Sequence, residues 1–122
     1  MPSITKTLIA IIMAVGPALA LPADVALPGD AAFAGDMTYY NPGLGSCGWT
    51  NGNNDAVVAL SPSKSGYCGK SIRIHLNGKS ATAKVVDKCP GCSDQSIDVS
   101  PTVFSKLANL DVGRVKVTWE FI

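Results

Sequence analysis

Four cysteines constrain the fold of this 122-residue chain more than any other feature. Cys47 and Cys68 stand apart, whereas Cys89 and Cys92 form a Cys-Pro-Gly-Cys motif. An even number of cysteines in a short exported chain is typical of a disulfide framework. Four cysteines allow three pairings. We favour Cys47–Cys68 with Cys89–Cys92, because the second pair then closes a tight local turn.

Two other interpretations of the Cys-Pro-Gly-Cys motif are less well supported. A structural zinc site needs four ligands, and the only histidine, His75, falls within an apparent strand. A thioredoxin-like redox site places the motif at the start of a helix, whereas an acidic residue and a strand-like segment follow it here. We therefore expect a plain disulfide, with no metal and no cofactor.

The N-terminus has the three parts of a secretory signal peptide. Lys6 supplies the positive charge, residues 8–15 form an apolar run, and Pro17 precedes the small-residue cleavage site Ala18-Leu19-Ala20. A membrane-spanning helix needs about 20 apolar residues, and this run is much shorter. The pattern predicts a cleaved signal peptide over residues 1–20, and hence a secreted protein that acts in the extracellular space or cell wall without a membrane anchor.

The charge of the mature chain limits its partners. Removing residues 1–20 leaves 102 residues, enough for one domain. It also removes Lys6, so ten basic residues fall to nine, which equals the nine acidic ones. Nucleic acids and anionic membranes both attract clustered positive charge, so neither is an expected partner. An uncharged polysaccharide fits this balance.

The pattern beyond the signal is that of a small β domain. Residues 21–32 are rich in Pro, Gly and small residues and are predicted to be a flexible lead-in or propeptide. Asn77-Gly78 between two alternating runs is a strong hairpin signal. Ser100 and Pro101 are predicted to be the N-cap and first residue of the one helix. The predicted strands are residues 37–40, 56–60, 71–76, 80–86 and 114–121, and the predicted helix is residues 102–109. With the strand-like segment after the cysteine motif, about six strands and one helix favour a closed barrel.

Three segments, taken in this order, resemble a known family. They are Gly-Asp-Met-Thr-Tyr-Tyr (35–40), Gly-Ser-Cys-Gly (45–48) with Cys-Gly-Lys-Ser-Ile (68–72), and Val-Val-Asp-Lys-Cys-Pro-Gly-Cys (85–92) running to Ser-Ile-Asp-Val-Ser-Pro (96–101). This combination is similar to the double-psi β-barrel domain of expansins, barwin-like proteins, family-45 endoglucanases and rare-lipoprotein-A-like proteins, and most similar to fungal loosenins. The resemblance implies a mainly β, six-stranded double-psi β-barrel with one short helix over residues 33–122.

The resemblance also implies a polysaccharide groove across the barrel. Asp98 matches the aspartate that expansins need for wall loosening and that the endoglucanases use as general acid. Asp87 matches an earlier groove aspartate, and Thr38 and Tyr40 match polar residues that face the groove. Each aspartate also has a structural interpretation, because Asp98 precedes a helix whose N–H groups it could bind and Asp87 could cap the cysteine turn.

Two departures from the family affect the expected chemistry. Bacterial expansins carry an aromatic residue at the position of Cys89, so we take Trp49 as the candidate for sugar stacking, with a partly buried loop anchor as its alternative role. The endoglucanases place their general base where this chain has Asn41, which cannot accept a proton from water at neutral pH. Asp36, Asp55 and Asp87 are the alternative bases, but the sequence does not place any of them opposite Asp98. General-base catalysis contributes about 10²–10⁴ in rate, so we expect little hydrolysis.

These observations predict a monomeric, expansin-like protein that binds cellulose, chitin or another β-glucan and loosens it without hydrolysis. A secreted barwin-like binding or effector protein, such as a protease inhibitor, and a weak endoglucanase are the alternatives. Lytic transglycosylases of the family use an acid and a histidine in a loop before the middle hairpin. That region reads Ser61-Pro62-Ser63 here, so this activity is not expected.

Overall fold

The computed structural model describes residues 32–122. The predicted signal peptide and all but the last residue of the predicted lead-in lie outside the described residues. Within residues 32–122 there are six β-strands, one α-helix and one 3-10 turn. They are β1 (Phe33–Tyr39), β2 (Val57–Leu60), β3 (Ser71–Leu76), β4 (Lys79–Lys88), β5 (Ile97–Val99), α1 (Pro101–Leu107), the 3-10 turn (Leu110–Val112) and β6 (Val115–Phe121).

The six strands close into a barrel in the order β1-β5-β2-β4-β3-β6, with β6 returning to β1. Strand β1 runs parallel to β5, and β2 runs parallel to β4, while the other neighbouring strands are antiparallel. A closed sheet has no unpaired edge strand, which is how a domain of this size avoids edge-to-edge association. The predicted closed barrel is confirmed.

The barrel interior is filled by the apolar side chains that alternate along the strands, as the period of two requires. Trp119, Met37, Ile72, Ile74 and Val58 are among the fully buried residues of this core. Helix α1 adds Val103, Phe104 and Leu107 to the same cluster. One continuous core therefore joins the barrel and its helix.

The local predictions are largely confirmed, with one correction at the helix start. Asn77 (φ 51°) and Gly78 (φ 80°) both have positive φ, as a type I′ hairpin turn requires. Pro101 is the first helical residue, and Ser100 stands at the N-cap position. The predicted side-chain cap is wrong, because the Ser100 hydroxyl accepts a hydrogen bond from the Val57 amide (3.4 Å) instead. The helix also ends at Leu107, two residues earlier than predicted.

Both predicted disulfides are present. Cys47–Cys68 has a Cα–Cα distance of 5.7 Å and joins the loop between β1 and β2 to the loop between β2 and β3. Cys89–Cys92, at 5.3 Å, closes the turn that follows β4. The two bonds therefore fix the loops on either side of one end of β4.

Residues 32–122 contain neither a membrane-spanning helix nor a cluster of metal-ligating side chains. No helix in that part of the chain is long and apolar enough to cross a membrane. No group of three or more His, Cys, Asp or Glu side chains there is arranged to hold a metal ion.

Candidate functional site

Strand register brings three of the predicted site residues into one line across the outside of the barrel. Thr38 of β1 pairs with Asp98 of β5, Asp98 pairs with Ala59 of β2, and Ala59 pairs with Asp87 of β4. We call this line of Thr38, Asp98, Ala59 and Asp87 the cross-strand row. Three strand spacings of about 4.8 Å make it roughly 14 Å long between the outer Cα atoms. The sequence alone could not supply this alignment, because it depends on parallel pairing of distant segments.

Asp98 is the central polar residue of the cross-strand row. Its neighbours Ile97 and Val99 are buried in the core, so the alternation of β5 turns the half-buried Asp98 outward. The Thr38 hydroxyl donates a 2.9 Å hydrogen bond to Asp98 Oδ1. Burial raises the pKa of Asp98, while the Thr38 hydrogen bond and the positive charge of Arg114 oppose this rise and the charge of Asp87 adds to it. A carboxyl with a raised pKa holds its proton more readily than an ordinary aspartate.

The hydrogen bonds do not support Asp98 as a cap of helix α1. The first free amides of α1 have other acceptors: Val103 and Phe104 donate to the Ser100 carbonyl, and Thr102 donates to the Asn53 carbonyl. Asp98 instead accepts from Thr38 across the β1–β5 pair. Its side chain therefore lies on the outer face of the barrel, and backbone carbonyls accept the hydrogen bonds from the first amides of the helix.

Asp87 reaches the outer face through an irregularity of β4. Val58 pairs with Val85, but Ala59 pairs with Asp87, so Val86 is an extra residue opposite β2. Strict alternation after Ala81, Ala83 and Val85, all in the core, would place Asp87 inside the barrel. An extra residue reverses the face of every side chain that follows it.

Asp87 also fixes the loop beside it. Its Oδ1 accepts hydrogen bonds from the amides of Ser46 (2.9 Å) and Lys88 (2.8 Å). Gly45 lies so close to β4 that a Cβ there would collide with the Val86 carbonyl oxygen. The predicted structural role of Asp87 as a cap of the cysteine turn is thus replaced by a contact with the Gly-Ser-Cys-Gly segment.

Tyr40 completes the group next to the cross-strand row. Its amide donates to the Val99 carbonyl (2.9 Å), which continues the β1–β5 pairing past the end of β1. Partial burial, with the negative charges of Asp87 and Asp98, raises the pKa of Tyr40 to about 12. The phenol therefore stays protonated and remains a hydrogen-bond donor at any physiological pH.

The other two predicted binding residues lie outside this group. Asn41 is exposed and follows Tyr40 directly. Trp49 is 42% exposed and lies against Gly69, with the Lys84 ammonium 4.3 Å from its ring centre. Lys84 precedes Asp87 by three residues on β4, or roughly 10 Å of strand. Trp49 is therefore a half-exposed ring beside the row rather than part of it, and a cation already covers one of its faces.

At the β1 end of the row, sequence reasoning named Asp36 as an alternative base but missed the two cations that hold it. Asp36, two residues before Thr38, forms ion pairs with Arg114 (3.2 Å) and Lys116 (3.0 Å). Hydrogen bonds from Lys116 and Arg114 lower the pKa of Asp36, so it is ionised and held by cations. Arg114 also acts on Asp98. The pairing of Met37 with Val115 brings Arg114 close to Asp36. No local sequence signal indicates this contact.

Asp55 and His75 are held in contacts of their own. Asp55 accepts a 2.8 Å hydrogen bond from the Gly52 amide within its own loop. His75, on β3, is hydrogen-bonded through Nε2 to Glu120 of β6 (2.9 Å). Neither residue belongs to the cross-strand row, in which Asp87 is the second carboxylate.

The fold and the outer face define the class of protein. A closed six-stranded barrel with two parallel strand pairs, one short helix and an acidic outer row is a double-psi β-barrel. A profile of the double-psi β-barrel family described as "Lytic transglycolase" matches residues 32–119. The chain belongs to this family, which confirms the predicted expansin-like and barwin-like relationship.

Individual relatives agree with this assignment. The papain inhibitor of Streptomyces mobaraensis is 37% identical over 98 residues, which cover 70% of this chain and 68% of the relative. The allergen Asp f 7 homolog of Arthroderma benhamiae is 35% identical over 108 residues, which cover 70% of this chain and 38% of the relative. The chain thus spans well under half the length of that fungal relative.

Two solved structures share the fold. A Streptomyces papain inhibitor superimposes with a TM-score of 0.70 at 33% identity, covering 80% of this chain and 99% of the inhibitor. An expansin of Clavibacter michiganensis, determined in complex with cellohexaose, gives a TM-score of 0.69 at 20% identity, covering 75% of this chain and 50% of the expansin. At that identity the expansin establishes the common fold alone.

Proposed function

We propose that this protein is a secreted, loosenin-like domain that binds a neutral cell-wall polysaccharide along the cross-strand row and loosens it without cutting it. The observation that carries the proposal is the Thr38–Asp98 pair, in which a hydroxyl holds a half-buried carboxyl on the outside of the barrel. A carboxyl in this state offers both a donor and an acceptor to sugar hydroxyls when it is protonated. The Tyr40 phenol adds a hydrogen-bond donor that is present at any physiological pH.

Several features support this proposal over a charged ligand. The strands place both carboxylates of the row on the outer face, which disfavours nucleic acids and other polyanions. The expansin of the same fold was determined with cellohexaose, a neutral β-glucan fragment. Secretion rests on the sequence of residues 1–20 and agrees with two disulfides, which persist in oxidising compartments.

The surroundings of Asp98 support binding without hydrolysis. Inverting hydrolysis needs a second carboxylate that is free to activate a water molecule. The Oδ1 atom of Asp87, the other carboxylate of the row, accepts hydrogen bonds from two backbone amides and holds a loop. By the family resemblance, Asn41 stands where the endoglucanases carry their base. These features favour a binding role for Asp98.

A binding panel combined with a sugar-release assay tests this proposal. The purified protein is incubated with insoluble cellulose, chitin, xylan and β-1,3-glucan, and both the bound fraction and the released reducing sugar are measured. We expect binding to at least one polymer, weakened in Asp98→Ala and Thr38→Ala, with no sustained release of sugar. Release that depends on Asp98 would overturn the non-hydrolytic part, and a second loss in Asp87→Asn would identify Asp87 as the base of a weak endoglucanase.

Protease inhibition is the second candidate function, favoured by the similarity to the papain inhibitor over 68% of that relative. The loop of residues 61–67 would carry such an activity, since it protrudes between two strands and is exposed over most of its length. Papain is assayed with the wild type, with Thr38→Ala and with substitutions in residues 61–67. Inhibition that survives the first change and is lost with the second, without binding to any polysaccharide, would replace the loosening proposal.

A further inference from the structure

The surface next to Asp87 holds a cavity that the sequence did not predict. It has a volume of about 190 Å³ and lies between the loop of residues 61–68 and the Gly-Ser-Cys-Gly segment. Its lining residues include Ser46, Asp87, Lys88, Ser65 and Tyr67. Asp87 and its hydrogen-bond partner Ser46 thus belong both to this cavity and to the end of the cross-strand row.

Tyr67 gives the cavity an aromatic wall. Its ring stacks on Phe121 with centres 4.4 Å apart and an angle of 22° between the planes. One face of Tyr67 is therefore covered by Phe121, yet the residue remains 37% exposed. Phe121 is itself held by Phe33 and Trp119, at 6.1 Å and 5.4 Å between ring centres. The outer face of Tyr67 is a rigidly supported aromatic surface.

The loop that carries Tyr67 is fixed at several points. The Cys47–Cys68 disulfide joins its end to the neighbouring loop. Lys64 forms an ion pair with Asp94 (3.1 Å), and its ammonium lies 4.5 Å from the centre of the Phe33 ring. The Gly69 amide donates to the Val85 carbonyl (2.8 Å). A loop held in this way keeps its binding surface ordered before a ligand arrives, which lowers the entropic cost of binding.

We propose that this cavity is a sugar subsite that extends the cross-strand row past Asp87, with one hexose ring of a β-1,4-linked chain stacked on Tyr67. The subsite rests on the proposed polysaccharide binding and deepens it. Cavities for drug-sized ligands measure about 300–1,000 Å³, so 190 Å³ suits one ring rather than a chain. Ser65 and Lys88, both exposed at the cavity, supply polar groups for its hydroxyls.

Titration with cellohexaose, followed by calorimetry and by amide resonances, tests the subsite. In the wild type we expect the resonances of residues 65–68 to shift together with those of Thr38 and Asp98. Tyr67→Ala is expected to weaken cellohexaose binding about five- to tenfold, the worth of one aromatic stacking contact. Tyr67→Phe keeps the ring and should bind as the wild type does.

Two further variants separate stacking from folding. Tyr67→Leu keeps an apolar cover on Phe121 but has no flat face, so it should bind as weakly as Tyr67→Ala with an unchanged melting temperature. Val112→Ala shortens another exposed apolar residue, 53% exposed and outside the cavity lining, and should leave binding unchanged. Wild-type binding in which residues 65–68 do not shift, or full affinity in Tyr67→Leu, would overturn the subsite alone. Absence of wild-type binding to cellohexaose and to every polymer of the panel would overturn the proposed function as well.

Discussion

At the scale of single residues, the fold gives two aspartates of the same row different surroundings. Asp98 is half-buried and hydrogen-bonded by one hydroxyl, and the net effect is a raised pKa. Asp87 accepts two backbone amides and fixes a loop. The family resemblance implies a shared groove for both aspartates but does not distinguish these roles, which depend on what each strand pairing brings beside the carboxyl.

The raised pKa of Asp98 predicts a pH-dependent cost to stability. Below the unfolded pKa the group is protonated in both states and costs nothing, and as pH rises through the raised folded pKa the buried charge lowers the free energy of unfolding. Asp98→Asn keeps an acceptor for Thr38 without the charge. We expect it to raise the melting temperature at about pH 7 and to lose this advantage below about pH 4, close to the ordinary aspartate pKa. A gain that is equal at both pH values would contradict the assignment.

Gly45 and Gly43 form a matched pair within one loop. A Cβ on Gly45 would collide with the Val86 carbonyl, whereas one on Gly43 meets nothing within 4 Å. Gly45→Ala is expected to cost about 1–3 kcal/mol, the usual range for forcing atoms into a packed site, and Gly43→Ala should change little. Urea unfolding measures both. Equal effects of the two substitutions would show that close approach to β4 is not what requires glycine at 45.

At the scale of elements, the sequence predicted what depends on neighbouring residues. The β3–β4 hairpin, its Asn77-Gly78 turn and the start of α1 at Pro101 follow from local turn and helix signals and are confirmed. The pairing of β1 with β5 and of β2 with β4 joins segments far apart in the chain. No local pattern encodes such parallel pairings, so the count of strand-like segments favoured a closed barrel and only the family resemblance gave its double-psi form.

The two disulfides should contribute unequally to stability. Cys47–Cys68 joins residues 21 positions apart in the chain, and Cys89–Cys92 joins residues three positions apart. In the chain-entropy model, their removal costs about 3 and about 2 kcal/mol respectively. Replacing each pair by serine and measuring urea unfolding tests this order. Loss of the first bond should also weaken cellohexaose binding, because it frees the loop that carries Tyr67, and unchanged binding would contradict the ordered-loop argument.

At the scale of the whole molecule, the distribution of charge sets how salt acts on binding. Two of the basic groups near the row, Arg114 and Lys116, are paired with Asp36. A neutral polymer held by hydrogen bonds and stacking has no charge for salt to screen. We expect the dissociation constant for the preferred polysaccharide to change less than about twofold between about 0.01 and 0.5 M NaCl. A steep fall in affinity with salt would indicate an anionic partner instead.

The packing of the whole molecule also explains which site residues could not be predicted from the sequence. Arg114 and Tyr67 were not predicted, since each acts through contacts with residues distant in the chain, namely Asp36 and Phe121. Trp49 was predicted from its residue type, and the fold places it against Lys84, beside the row rather than in it. Residue type identifies candidates for stacking, whereas only the closed barrel decides which ring borders the groove.

The extra residue in β4 makes this surface depend on chain length as well as on residue identity. Any side chain that fills the space of Val86 leaves Asp87 where it is, because the count of residues before it is unchanged. Deleting Val86 would leave a regular strand in which Asp87 directly follows Val85, so the carboxylate would still face outward opposite Ala59. Inserting a residue between Val85 and Asp87 would instead carry the carboxylate past Ala59 and out of the cross-strand row, so natural variation there should add no residues.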